Sequence, residues 1–169
     1  MSEENQKDWM DEDTINWIKG SEQPIDHMYQ DTTGNVTVGY GHMIKDANAA
    51  KSISFRYQDM NGRYATAKET EDAFWKVQLD QNSKEKNYVA QYYNPETSAG
   101  FDKLYLDNDE KDRIFREDLN AARVELENRK DIDFYGAPRS AKQALLDMQF
   151  NMGGNRFSEQ GFDEKTNQF

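Results

Sequence analysis

The chain has no cysteine and only two histidines in 169 residues. Without cysteine there is neither a disulfide nor a thiol nucleophile, although the absence alone does not fix a redox compartment. No Cys and so few His argue against a zinc site, and no metal is expected. Long apolar runs are missing too, so no segment reads as a membrane-spanning helix and no membrane insertion is expected. Positive charge is scarce: 21 Lys and Arg face 32 Asp and Glu, a formal net charge of -11. That balance argues against nonspecific binding to nucleic acid or to an anionic membrane. The N-terminal MSEENQKDWMDED is acidic, opposite to the basic start of a signal peptide, so synthesis in the cytoplasm without a leader is expected.

What is present suits one domain or a two-lobed one. At 36 % hydrophobic the chain can build a core, while a mean hydropathy of -1.11 implies a strongly polar surface. The most informative stretch is 22–42, EQPIDHMYQDTTGNVTVGYGH. Glu22 is followed after eight residues by Asp31, after five more by Thr37, and then by Gly39-Tyr40-Gly41-His42. His27, Met28 and Tyr29 can extend. Asp31-Thr32-Thr33-Gly34 carries Asp at the start and Gly at the end of a turn. The β-branched Val36, Thr37 and Val38 favour a return strand. A small hairpin is predicted, with Gly39 and Gly41 permitting a bend or bulge beyond it. His27 reads as an ordinary strand-edge residue.

At these residues the sequence resembles the phage-type lysozymes, the muramidase family of tailed-phage endolysins (glycoside hydrolase family twenty-four). The Glu–Asp–Thr spacing, Tyr29-Gln30-Asp31-Thr32, Gly34 and Gly39-Tyr40-Gly41-His42 look like that family's active-site hairpin. The resemblance implies an α+β, lysozyme-like fold: a small hairpin lobe, residues 22–42, joined by a long helix to a mainly helical lobe, residues 138–169. It implies Glu22 as general acid, Asp31 as the ionised carboxylate, and Thr37 helping Asp31 to hold the attacking water. The implied substrate is the β-1,4 bond between N-acetylmuramic acid and N-acetylglucosamine in peptidoglycan, cleaved with inversion and without a cofactor. Inversion needs the two carboxyl groups far enough apart to admit a water. In one departure, the family usually has Gly after its catalytic glutamate, whereas this chain has Gln23-Pro24. The turn out of the preceding helix must then be built differently.

Residues 1–12 are mostly charged and read as an acidic tail or docking segment. Asp13 or Thr14 can cap a short helix to about Ser21, with Ile15, Trp17 and Ile18 as its apolar members. That helix delivers Glu22 at its C-terminus, where the dipole disfavours a negative charge. A general acid wants that setting, although a Glu beside a turn is also an ordinary surface residue. Residues 45–103 look like an insertion relative to the family. Within them Asp59-Met60-Asn61-Gly62 reads as a turn. A helix is expected from Ala65 or Thr66 to about Asn82, with Ala73, Phe74, Val77 and Trp75 inward. Tyr88, Tyr92 and Tyr93 follow; such aromatics line a sugar cleft or, more often, fill a core.

Asp107 and Glu110 form a capping-box pattern, with Leu106 placed as a staple. The helix they open, about 108–129, has a stripe of Ile114, Phe115, Leu119, Ala122 and Leu126. The resemblance makes it the linking helix and sets Asp118 opposite His42 in a structural ion pair. Pro138 fits the first turn of the next helix, whose expected buried face is Ala141, Ala144, Leu145, Met148 and Met152. By resemblance, Phe150 and Asn151 at its end face the sugar; by residue type, Phe150 is equally core and Asn151 equally a helix-end cap. Family members continue with several more helices, whereas only 155–169 remain here. Either the chain is a fragment, or a partner supplies the rest, or the lobe is reduced. A truncated lobe would expose the apolar faces of the 139–152 helix, which implies marginal stability of the chain alone, or self-association.

Two functional readings follow. In the first, the chain is a peptidoglycan hydrolase that reaches the wall after delivery, as a phage endolysin or an antibacterial toxin effector with an immunity protein as partner. In the second, it is a catalytically weak wall-binding or interaction module on the same scaffold. A nucleic-acid or metal hydrolase fits neither the acidity nor the lack of ligand clusters.

Overall fold

The computed structural model describes residues 9–57, 62–79 and 104–152. The fold is α+β, and the chain forms two compact units, one of residues 23–115 and one of residues 1–22 with 116–169. Residues 59–61 of the expected turn, Asn82, the three tyrosines at 88, 92 and 93, and 155–169 lie outside the described residues.

In the 23–115 unit, β1 (Ile25–Gln30), β2 (Val36–Gly39) and β3 (His42–Met43) form an antiparallel sheet in that order. Tyr29 pairs with Thr37 and Gln30 with Val36. The head of the hairpin is a three-residue loop. The Gly34 N–H donates to the Asp31 carbonyl at 3.0 Å, and the Asp31 N–H donates to the Asn35 carbonyl at 2.9 Å. Gly34 has φ 88°, a backbone state that suits glycine and closes a loop of this length. Gly39 and Gly41, at φ 63° and 90°, turn β2 straight into β3, so the expected hairpin is three-stranded.

All of β2 is buried, and much of its cover comes from the stretch read as an insertion. Helix α2 (Ala47–Lys51) is capped by Asp46, whose carboxylate accepts from the Asn48 and Ala49 N–H groups. Strand β4 (Arg56–Tyr57) follows, and then α3 (Ala67–Leu79). Ala47, Ala50, Phe74 and Val77 join Met28, Val36 and Val38 in one core cluster. A reciprocal capping box starts α3: Glu69 accepts from the Thr66 N–H at 2.7 Å, and the Thr66 hydroxyl accepts from the Glu69 N–H at 3.3 Å. Trp75, expected inward, is 47 % exposed. It follows Phe74 by one residue, which on a helix rotates it about 100° away from the core.

Strand β5 (Leu104–Tyr105) pairs with β4, and α4 (Asn108–Glu127) follows. Asp107 accepts from the Glu110 N–H at 2.9 Å, which is half of the expected capping box. The Glu110 carboxylate goes elsewhere, accepting from the Ser54 N–H at 2.8 Å and from Arg113. It thereby ties α4 to the segment after α2. Lys111 reaches Asp26 at 2.5 Å, and the Leu106 N–H donates to the Asp26 carbonyl, which binds the same region to β1.

The other unit holds α1 (Glu12–Ser21), the later part of α4 and α5 (Arg139–Met152). Asp11 caps α1 by accepting from the Thr14 N–H at 3.0 Å, which corrects the expected cap at Asp13 or Thr14. Trp9 is buried with its ring against Phe134, centroids 5.1 Å apart, so residues 9–12 do not belong to the tail expected over 1–12. The buried face of α1 is Thr14, Ile15 and Ile18; Trp17, expected among its apolar members, is 55 % exposed. The α4 stripe of Leu119, Ala122 and Leu126 is buried as expected.

Helix α5 follows Pro138, whose carbonyl accepts from the Ala141 and Lys142 N–H groups. Its buried side chains are Leu146 and Gln149, while Ala144 is exposed and Ala141, Leu145 and Met148 are half-buried. The expected face is therefore rotated. Two polar side chains turn inward because they have partners: Gln143 donates to the buried Thr14 hydroxyl at 2.8 Å, and Gln149 donates to Glu125 at 2.7 Å.

Candidate active site

Asp31 stands where β1 meets the turn, and its carboxylate is held by the turn's own donors. Its Oδ1 accepts from the Thr33 and Asn35 N–H groups and from the Thr33 hydroxyl, each at 2.8 Å. Its Oδ2 accepts from the Asn35 side-chain amide at a longer 3.2 Å. Partial burial works to raise the Asp31 pKa, but the Asn35 and Thr33 donors outweigh it and hold the carboxyl below its usual range. Asp31 is therefore ionised at neutral pH. Oδ2, with one long contact, is the oxygen with capacity left to hold a water.

Thr37 is buried, and its hydroxyl donates to the Asn35 carbonyl at 3.4 Å. Thr37 pairs with Tyr29, and side chains alternate along a strand, so Asp31, Asn35 and Thr37 share one face of the hairpin with Tyr29. The residues missing from the sequence reading are Thr33 and Asn35, which fix the carboxylate. The pattern Asp31-Thr32-Thr33-Gly34-Asn35 carried that signal, because an Asp at a turn bonds the backbone two residues on.

Glu22 is the C-cap residue of α1, half-exposed, with extended φ -102° and ψ 140°. Its N–H donates to the Lys19 carbonyl at 3.2 Å, and the Ser21 hydroxyl donates to the Ile18 carbonyl at 2.7 Å. These two contacts satisfy carbonyls of the last helical turn, and the chain leaves extended into exposed Gln23-Pro24. No left-handed glycine is needed to end the helix, which gives a physical account of the Gln23-Pro24 departure.

Glu22 belongs to the unit of 1–22 and 116–169, and Asp31 and Thr37 to that of 23–115. The structure thus brings Asp31 and Thr37 onto one element and characterises Glu22 on another. The expected His42–Asp118 pair likewise joins residues of the two units: His42 pairs with Val38 in the sheet, and Asp118 lies on α4. Phe150 is half-buried and Asn151 exposed, both in the unit of Glu22. Asn151 donates to the Asp147 carbonyl and carboxylate at 3.1 and 3.2 Å, a contact within its own helix.

Among the described residues, no group of three or more His, Asp or Glu side chains is placed to hold a metal ion, and no helix is long and apolar enough to cross a membrane. Comparison with protein-family models finds no match, and neither does comparison with curated proteins. The functional reading rests on the residues themselves.

Proposed function

We propose that the chain is a peptidoglycan hydrolase of the muramidase type, cleaving the β-1,4 bond between N-acetylmuramic acid and N-acetylglucosamine. Glu22 protonates the leaving oxygen, and ionised Asp31, with Thr37, positions the attacking water for inversion. The observation that carries this reading is the Asp31 turn. A carboxylate kept ionised by four local donors, on the same face as Thr37, is what the base side of the reaction requires. Glu22, half-exposed as the C-cap residue of α1, is the carboxyl group this reading assigns to the acid side. In this reading the enzyme reaches the wall after delivery, as an endolysin or a toxin domain faced by an immunity protein.

A second reading has its own support. Every described contact of the Asp31 carboxylate is to its own turn, and the Thr37 hydroxyl is directed at the Asn35 carbonyl. Such a turn also suits a wall-binding module with little or no catalysis. Digestion of purified sacculi separates the two. Hydrolysis yields new reducing ends and muropeptides identifiable by mass spectrometry, and Glu22→Gln lowers their release by about 10²–10⁴-fold with an unchanged circular dichroism spectrum. Undiminished release by Glu22→Gln overturns the assignment of the acid. Sedimentation with sacculi without new reducing ends favours the module.

A further inference from the structure

We propose that Gln30 and Gln78 are positioning residues for the Asp31 turn, which makes helix α3 a working part of the site. This rests on the reading of Asp31 as the water-positioning carboxylate. Gln30 is the residue before Asp31 and is 4 % exposed. Its side-chain amide donates to the Gln78 carbonyl at 2.8 Å. Gln78 lies on α3, so a buried polar side chain at the base of the hairpin loop is satisfied by main chain of that helix. In return, the Gln78 side-chain amide reaches the Gly34 carbonyl at 3.4 Å. Gln78 of α3 therefore touches the hairpin on both sides of Asp31, at the residue before it and at the glycine that closes the loop.

The chemistry of position 30 favours a role beyond filling space. Gln30 pairs with Val36 in a part of the sheet where every β2 residue is buried. An apolar side chain suits such a position, and a buried amide is costly unless it is paired. Asp31 is oriented by Thr33 and Asn35 inside the loop, but those donors fix the carboxylate only relative to the loop. The Gln30–Gln78 pair fixes the loop relative to α3. A glycosidase carboxylate misplaced by an ångström loses rate steeply, so a brace at the base of the loop has a use.

The variants are Gln30→Met, which keeps the length and loses the amide, and Gln78→Ala, which removes only the arm to Gly34 and keeps the main-chain carbonyl. Two readouts decide. The first is titration of the Asp31 carboxyl by carbon NMR, which needs no activity. The second is kcat and KM on soluble glycan strands as a function of pH. In Gln30→Met the loosened turn lets the Asp31 carboxyl move upward toward the ordinary aspartate value. The acid limb of kcat moves with it, and kcat falls about tenfold while KM stays within about twofold. Gln78→Ala shifts both in the same direction by less. A folded Gln30→Met with unchanged Asp31 titration and acid limb overturns the brace. If Gln30→Met fails to fold, Gln78→Ala decides on the same readouts, an unchanged titration counting against. A wild type that releases no reducing ends sinks the glycosidase reading, and the NMR titration still decides the brace.

Discussion

Two glycines, each with open space around an added Cβ, differ in backbone state, and that difference has a measurable sign. Gly34 sits at φ 88° at the hairpin head, and Gly20 lies in the last turn of α1 without a left-handed φ. No neighbouring atom lies within 4 Å of a Cβ at either position, so the effect of alanine is conformational alone. Gly34→Ala destabilises by about 1–2 kcal/mol, the cost of a left-handed L residue. Gly20→Ala stabilises by about 0.5–1 kcal/mol, because helix no longer has to be made from the most flexible residue. Urea midpoints of the two variants move in opposite directions; movement in the same direction contradicts the assigned backbone at Gly34. Asp31 adds a pH signature. Its folded pKa lies below the unfolded value, so its stabilising contribution is complete above the unfolded value and is lost as pH falls through the folded one. The stability gap between wild type and Asp31→Asn therefore narrows as pH falls through the ordinary aspartate range and below it. Denaturant unfolding across that range measures it, and a constant gap means the turn donors do not favour the ionised form.

At the scale of elements, α1 is held at its N-terminal end and carries Glu22 at the other. Arg139 of α5 reaches Asp11 at 2.6 Å, Gln143 of α5 donates to Thr14, and Arg116 of α4 pairs with Glu12 through two contacts of 2.8 Å. Glu22 is about 15 Å from the start of this ten-residue helix, so a small tilt at the clamp is magnified there. Thr14 is the buried centre of the clamp; its hydroxyl also donates to the Trp9 carbonyl at 3.0 Å. Thr14→Val keeps the shape but leaves the Gln143 donor and the Trp9 acceptor unmet, a loss of about 2–3 kcal/mol. Thr14→Ser retains most of the stability. Urea unfolding of the pair tests this, and equal stability of the two variants removes the hydroxyl from the account. The clamp also marks where reading the sequence stops. The hairpin head and the α4 stripe were legible because their signals are local: Asp and Gly at fixed turn offsets, and a 3.6-residue apolar period. The inward face of α5 was not, since Gln143 is turned in by Thr14, a residue 129 positions away. Trp17 and Trp75 were misplaced for a related reason. Apolarity nominates a residue for the core, but on a short helix only the neighbouring elements decide which of two adjacent apolar residues gets there. For the candidate site, the residue types and the Asp31 turn were readable, whereas the contacts between Gln30 and Gln78 required the fold.

For the whole molecule, the controlling quantity is the charge of -11. Local pairing does not remove it. Arg63 lowers Glu69 to about 2, and hydrogen bonds with Arg116, Arg113 and Arg129 lower Glu12, Glu110 and Asp131. Each of these pairs keeps its acid ionised, so the surplus carboxylates elsewhere carry the net charge at neutral pH. Peptidoglycan is itself acidic, so on the proposed reading enzyme and wall repel at long range. Binding must then come from short-range sugar contacts, which salt scarcely affects. The Debye length shrinks from about 30 Å at 0.01 M to about 8 Å at 0.15 M, so added salt screens the repulsion while leaving those contacts intact. The rate of hydrolysis of intact sacculi should therefore rise severalfold between these ionic strengths, opposite to the trend for a cationic enzyme drawn to the same wall. On short uncharged glycan fragments the rate should stay nearly flat. Initial rates on both substrates across the salt series make the comparison, and a rate on sacculi that falls with salt would show that a local cationic surface, rather than the net charge, governs the encounter.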